Sequence, residues 1–70
     1  MSEFSIQEIN LMCLYEGINR RGTIRNLKRM MTFLAPDEEE LRSLTESTLQ
    51  KLRVMKDEDY DFFALHYLVL

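Results

Sequence analysis

Five basic residues fall within ten positions of this chain: Arg20, Arg21, Arg25, Lys28 and Arg29. Three of them, Arg25, Lys28 and Arg29, share one face if residues 24–34 are helical, and Arg20 and Arg21 carry that face onto the preceding turn. Clustered guanidinium and ammonium groups neutralise phosphates or meet carboxylates. The chemistry on offer is therefore anion recognition, by an acidic protein or by nucleic acid. No aromatic side chain interleaves the cluster, as a surface that stacks single-stranded bases would require, so an acidic protein fits better than nucleic acid. The same residues also fit a solvated helix face neutralised by the chain's own acidic segments, and composition leaves that alternative open.

The other reactive side chains lead away from catalysis. Cys13 and His66 are the only thiol and the only imidazole. A cysteine–histidine pair needs spatial adjacency and a third group to orient the ring. Cys13 instead sits in the apolar run Leu11-Met12-Cys13-Leu14, where a free cysteine behaves as a small hydrophobe. Zinc takes four ligands, usually cysteine and histidine, and the chain has too few. Asp57, Asp59 and Asp61 copy the first half of a calcium loop, but the glycine and glutamate such a loop needs at its sixth and twelfth positions are Phe62 and Leu68 here. The acids of Asp37-Glu38-Glu39-Glu40 are better explained as partners of a helix dipole than as a general acid and base. The expectation is a non-enzyme with no metal and no cofactor.

Charge and size set the frame. The net charge is −3, yet residues 1–36 hold five basic and three acidic residues while 37–70 hold four basic and nine acidic. The acidic total argues against a dedicated nucleic-acid coat but permits a local basic face. Seventy residues suffice for one domain, 1–70, and a chain this short buries only about 60% of its unfolded surface. With one cysteine it has no internal disulfide, so helix packing, aided by a partner or a homodimer, must supply its stability. No apolar run spans a bilayer and no signal peptide is visible at Met1-Ser2-Glu3-Phe4, which places the chain in the cytoplasm, off the membrane.

The elements that must hold these residues are helices. Ser5 and Glu8 form a capping box, with Phe4 and Ile9 as a hydrophobic staple, and open a helix at about 6–16 that Gly17 ends in a left-handed conformation. Thr23 caps a second helix over 24–34, whose stripe is Ile24, Leu27, Met30, Met31 and Leu34 and whose stop is Pro36. Asp37 and Glu40 begin a third at 38–55, continuous in preference to broken near Ser43–Thr48 despite the hydroxyl residues there. Asp57 caps a fourth over 58–67, where Tyr60, Phe63 and Tyr67 share a face. No strand alternation or hairpin turn is present, so the fold class is all-α, a small bundle of about four helices. The apolar excess at Leu11, Leu14, Tyr15 and Phe62–Leu70 exceeds what one core face needs, which points to an exposed or dimerising patch.

Several of these segments resemble a known family. The string Glu-Ile-Asn-Leu-Met-Cys-Leu-Tyr at 8–15 is followed by Arg21-Gly22-Thr23-Ile24, Leu-Ala-Pro-Asp-Glu-Glu-Glu-Leu at 34–41, Leu49 to Met55, and Asp57 to Tyr60. In that order they are similar to the small transposon-transfer assisting proteins encoded in conjugative transposons of clostridia and related Gram-positive bacteria. The resemblance covers about residues 4–63 and is strongest at Pro-Asp-Glu-Glu-Glu-Leu. Family members tend to end in a short acidic tail with proline, whereas this chain ends in the apolar run Leu65–Leu70. The resemblance implies a role in the biology of a mobile element and brings no catalytic residues with it; together with the basic face and the apolar excess, the expectation is an accessory module that binds another of the element's proteins.

Overall fold

In the computed structural model, residues 4–68 are described, and they form four helices: α1 (Ile6–Leu14), α2 (Arg20–Met31), α3 (Glu39–Val54) and α4 (Asp57–Tyr67). The all-α expectation holds. α3 packs chiefly on α2 and then on α1, while α4 leans on α2. The four helices share one core of Leu11, Met12, Leu27, Leu49, Leu52, Tyr60, Phe63 and Leu68.

α1 begins as its sequence directs. The Ser5 hydroxyl accepts from the Glu8 amide at 3.1 Å and a Glu8 carboxylate oxygen accepts from the Ser5 amide at 2.8 Å. Each side chain thus satisfies a backbone donor that the first turn leaves orphaned. The Phe4 ring lies 5.0 Å from that of Phe63, tying the entry of α1 to α4.

The end of α1 corrects two expectations. The helix stops at Leu14 with Tyr15 as its C-cap, and no glycine has a positive φ. Gly17 is required for another reason: a Cβ there would stand 2.4 Å from the Gly22 carbonyl carbon. The two glycines mark a backbone-to-backbone contact between the α1–α2 turn and the first turn of α2. That contact is possible because α2 starts at Arg20, four residues earlier than expected, with Asn19 as its cap accepting from the Gly22 amide at 2.9 Å. Thr23 is not a cap. It lies inside the helix, fully buried, and its hydroxyl accepts from the Gly17 amide at 2.9 Å while sharing a 2.6 Å hydrogen bond with the Tyr60 hydroxyl. Asn26 completes the clasp by donating to the Tyr15 carbonyl at 3.0 Å.

α2 also ends early. After Met31 the amides of Thr32, Phe33 and Leu34 bond three residues back, to Arg29, Met30 and Met31. This tightening to a 3₁₀ turn ahead of Pro36 follows from the restriction proline places on its predecessor. Asp37 does not cap α3. Glu38 occupies the cap position without a side-chain cap bond, and its carboxylate turns back to accept from the Ala35 amide at 2.8 Å. α3 is continuous, as the periodicity indicated. Its buried Thr45 and Thr48 hydroxyls return to the Leu41 and Leu44 carbonyls, so neither leaves an unmet donor in the core.

α4 matches its expected span, but Asp57 is its first helical residue and Lys56 takes the cap position. The Asp57 carboxylate is occupied by Arg20. Tyr60 and Phe63 are buried as the shared face implied, and Tyr67 stacks on Phe63 at 4.8 Å. Of the apolar excess, Leu11 is buried and Tyr15 half-buried, whereas Leu14, Phe62 and Leu65 are exposed. Val69 and Leu70, the end of that run, lie outside the described residues.

A candidate anion-binding face on the second helix

The five basic residues separate into two groups once folded. Arg20 sits at the first turn of α2, on the side facing α3 and α4, with its side chain only 19% exposed. Its Nε donates to Asp57 at 2.7 Å and its Nη1 to the Leu52 carbonyl at 2.9 Å. One guanidinium therefore satisfies an end-of-helix carbonyl of α3 and neutralises the first carboxylate of α4. Arg20 is a fastener between elements and leaves the candidate binding set.

Arg21, Arg25, Lys28 and Arg29 are exposed, on the face of α2 opposite Thr23 and Leu27. Among the described residues none of the four has an ion pair; the two salt bridges there are Arg20–Asp57 and Lys51–Glu8. The chain's acidic third and fourth helices do not neutralise this face. At the rise of an α-helix the stripe from Arg21 to Arg29 is about 12 Å long, and α2 contains no acidic residue to interrupt it. Together with Ile24 and Thr32 these side chains line one open furrow.

A second charged place, missed by sequence reasoning, is internal. Glu8 is 3% exposed and its carboxylate is held on three sides. It accepts from the Ser5 amide, from the Ser47 hydroxyl at 2.6 Å and from Lys51 Nζ at 2.8 Å. Burial raises its pKa, but the bonds from Lys51, Ser47 and Ser5 outweigh that and hold it below the usual glutamate range. Lys51 also lies 5.7 Å from the Phe4 ring centroid, so its charge faces an aromatic surface as well. The capping box was a signal for Glu8's local bond; nothing local announces partners 39 and 43 residues away.

The remaining reactive groups make contacts of other kinds. The Cys13 thiol is 3.9 Å from the Tyr67 carbonyl, while the His66 ring packs on Phe62 at 4.2 Å with Nδ1 3.0 Å from the Phe62 carbonyl. Tyr60 is pushed up by burial, against a lowering from the Thr23 hydroxyl, so its phenol stays protonated as a core hydrogen-bonding group. Among the described residues no group of three histidine, cysteine or carboxylate side chains is gathered as a metal would need. No helix there is long and apolar enough to cross a membrane.

No curated protein and no solved structure matches the chain. The family profile described as putative transposon-transfer assisting protein does match, over residues 4–66, nearly the whole length; the chain belongs to that family, and its role is tied by that membership to transposon transfer.

Proposed function

We propose that the protein is a non-enzymatic binding module of a conjugative element, docking through the basic face of α2 onto an acidic surface of another of the element's proteins. The observation that carries this is four neighbouring exposed cations, Arg21, Arg25, Lys28 and Arg29, that have no ion pair among the described residues. A solvated face that only kept the chain in solution would have little reason to carry one sign, since interspersed charges avoid the mutual repulsion.

Nucleic acid is the second reading, favoured by the same cations following a glycine-containing turn between two helices. It is the weaker one. Four phosphate contacts would contribute a modest, strongly salt-dependent affinity, and the net charge of −3 works against long-range attraction to a polyanion.

The test is a photo-crosslinking residue placed at Lys28 in cells carrying the element, together with transfer frequency. The proposal expects a crosslink to one element-encoded protein, lost with Arg21→Glu and Arg25→Glu, and a fall in transfer at unchanged protein level. Crosslinks to DNA alone would transfer the case to the second reading. Wild-type transfer by the charge-reversed protein would remove the role of this face altogether.

A further inference from the structure

The furrow on α2 has a geometry of its own. Its six lining residues are two adjacent rows, each stepping four residues at a time: Arg21, Arg25 and Arg29 on one side, Ile24, Lys28 and Thr32 on the other. Two such rows enclose the groove into which a ridge of a second helix fits when α-helices pack. Elsewhere on α2 that kind of surface is already covered, with Thr23 and Leu27 buried against the bundle. Here it is open. The lining is mostly carbon, and Ile24 within it is half-buried, packed also against the core; long basic side chains such as its neighbours can lay their aliphatic stems on such a surface while their charged heads stay in water.

Resting on the reading of α2 as a protein-docking face, we infer that its occupant is an acidic amphipathic helix. Its carboxylates step at helical spacing to meet Arg21, Arg25 and the Lys28–Arg29 pair, and a branched apolar side chain between them rests on Ile24. A helix repeats its facing side chains at the same rise as α2, so three carboxylates come into register with three cationic positions over about 12 Å. The carbon wall separates this occupant from a phosphate backbone, which brings anions but no apolar group to cover Ile24. Charge fixes the register and apolar contact holds the ridge in the groove.

The probe is a peptide of about sixteen residues, long enough to populate a helix, with glutamates at i, i+4 and i+7 and leucine at i+3. Its comparators are a scrambled peptide of equal composition, a leucine-to-glutamine version and a short DNA duplex. Binding is read by fluorescence anisotropy and by amide chemical shifts of the labelled full chain. The patterned peptide should move resonances of residues 20–32 and bind about tenfold more tightly than the scrambled one. Arg25→Glu should abolish most of that gain, and a peptide with lysine in place of the facing glutamate should restore it. All four cations are exposed, so the variants keep their fold, which circular dichroism checks. Equal binding of patterned and scrambled peptides would overturn the helical occupant while leaving an acidic protein partner standing. Binding of the duplex with neither peptide, or no binding at all, would overturn both.

Discussion

Glu8 and the outer face of α2 are opposite treatments of charge in one small molecule. The Glu8 carboxylate is buried and every bond it needs is made, with an amide, a hydroxyl and an ammonium converging on it from two helices. The four outer-face cations, Arg21, Arg25, Lys28 and Arg29, are exposed and, among the described residues, make no ion pair. Burying a charge is tolerable only when hydrogen bonds and a counter-charge replace the lost water. Leaving charges of one sign together costs little in water, and it keeps them available. The first arrangement serves stability and the second is left for a partner. Arg20 shows that the division follows position and not residue type: it adjoins Arg21 in sequence, yet it is a fastener.

The largest effect that could break this contrast is at Glu8. Glu8→Ala removes the capping box and takes away the carboxylate that Ser47 and Lys51 share, so it should cost about 2–4 kcal/mol of unfolding free energy in urea titration. Arg25→Ala should stay within about 0.5 kcal/mol of wild type. Comparable losses at the two sites would erase the distinction. Next comes the pair of sequence neighbours. Arg20→Ala takes from Asp57 its charged donor and from the Leu52 carbonyl one of its two donors, the Met55 amide remaining, and should cost about 1–2 kcal/mol, whereas Arg21→Ala should be nearly neutral. If the two behave alike, Arg20 belongs with the stripe after all.

How far these roles were visible beforehand depends on the range of the interactions. Ser5 and Glu8 were legible because a capping box closes within three residues, and the α3 stripe because periodicity survives two interior threonines. Thr23 reads as a cap because threonine is a capping residue type, yet the cap is Asn19, four residues earlier. What decides between them is the buried hydroxyl of Tyr60, 37 residues away, which takes Thr23 into the core. Gly17 was recognised as special but for the wrong cause: the constraint is the approach of Gly22, which no local pattern encodes. The candidate face was visible as composition. Its reduction from five cations to four required knowing that Asp57 lies beside Arg20, and that α3 and α4 do not neutralise it could be settled only by their placement.

A pH titration sharpens the contrast from the side of Glu8. The folded-state pKa of Glu8 is lowered, so its contribution to stability is present above the pKa of the unfolded chain and is lost as pH falls through the folded value. Stability should therefore decline on acidification below the ordinary glutamate range. Glu8→Gln, which retains an acceptor for the Ser5 amide but cannot titrate, should start lower and decline less steeply. Parallel acid profiles for the two proteins would mean that other carboxylates govern acid unfolding and that the buried cluster is not where proton binding couples to the fold.

The smallest effect tests the stripe in isolation. Arg21 and Arg25 lie one helical turn apart, as do Arg25 and Arg29, so Arg25 faces a like charge on either side. Such pairs oppose helix formation by roughly 0.2–0.5 kcal/mol each. Arg25→Gln removes both repulsions and retains good helix propensity, so at low ionic strength it should raise stability by a few tenths of a kcal/mol. The gain should fade toward 1 M salt, where the screening length shrinks to about 3 Å. A destabilised Arg25→Gln protein would mean that this guanidinium makes an intramolecular bond in solution. The stripe would then resemble the Glu8 cluster, and its availability to a partner would be lost as an argument. A small, salt-sensitive gain would show instead that the fold tolerates these cations at a cost, as expected of charges retained for binding.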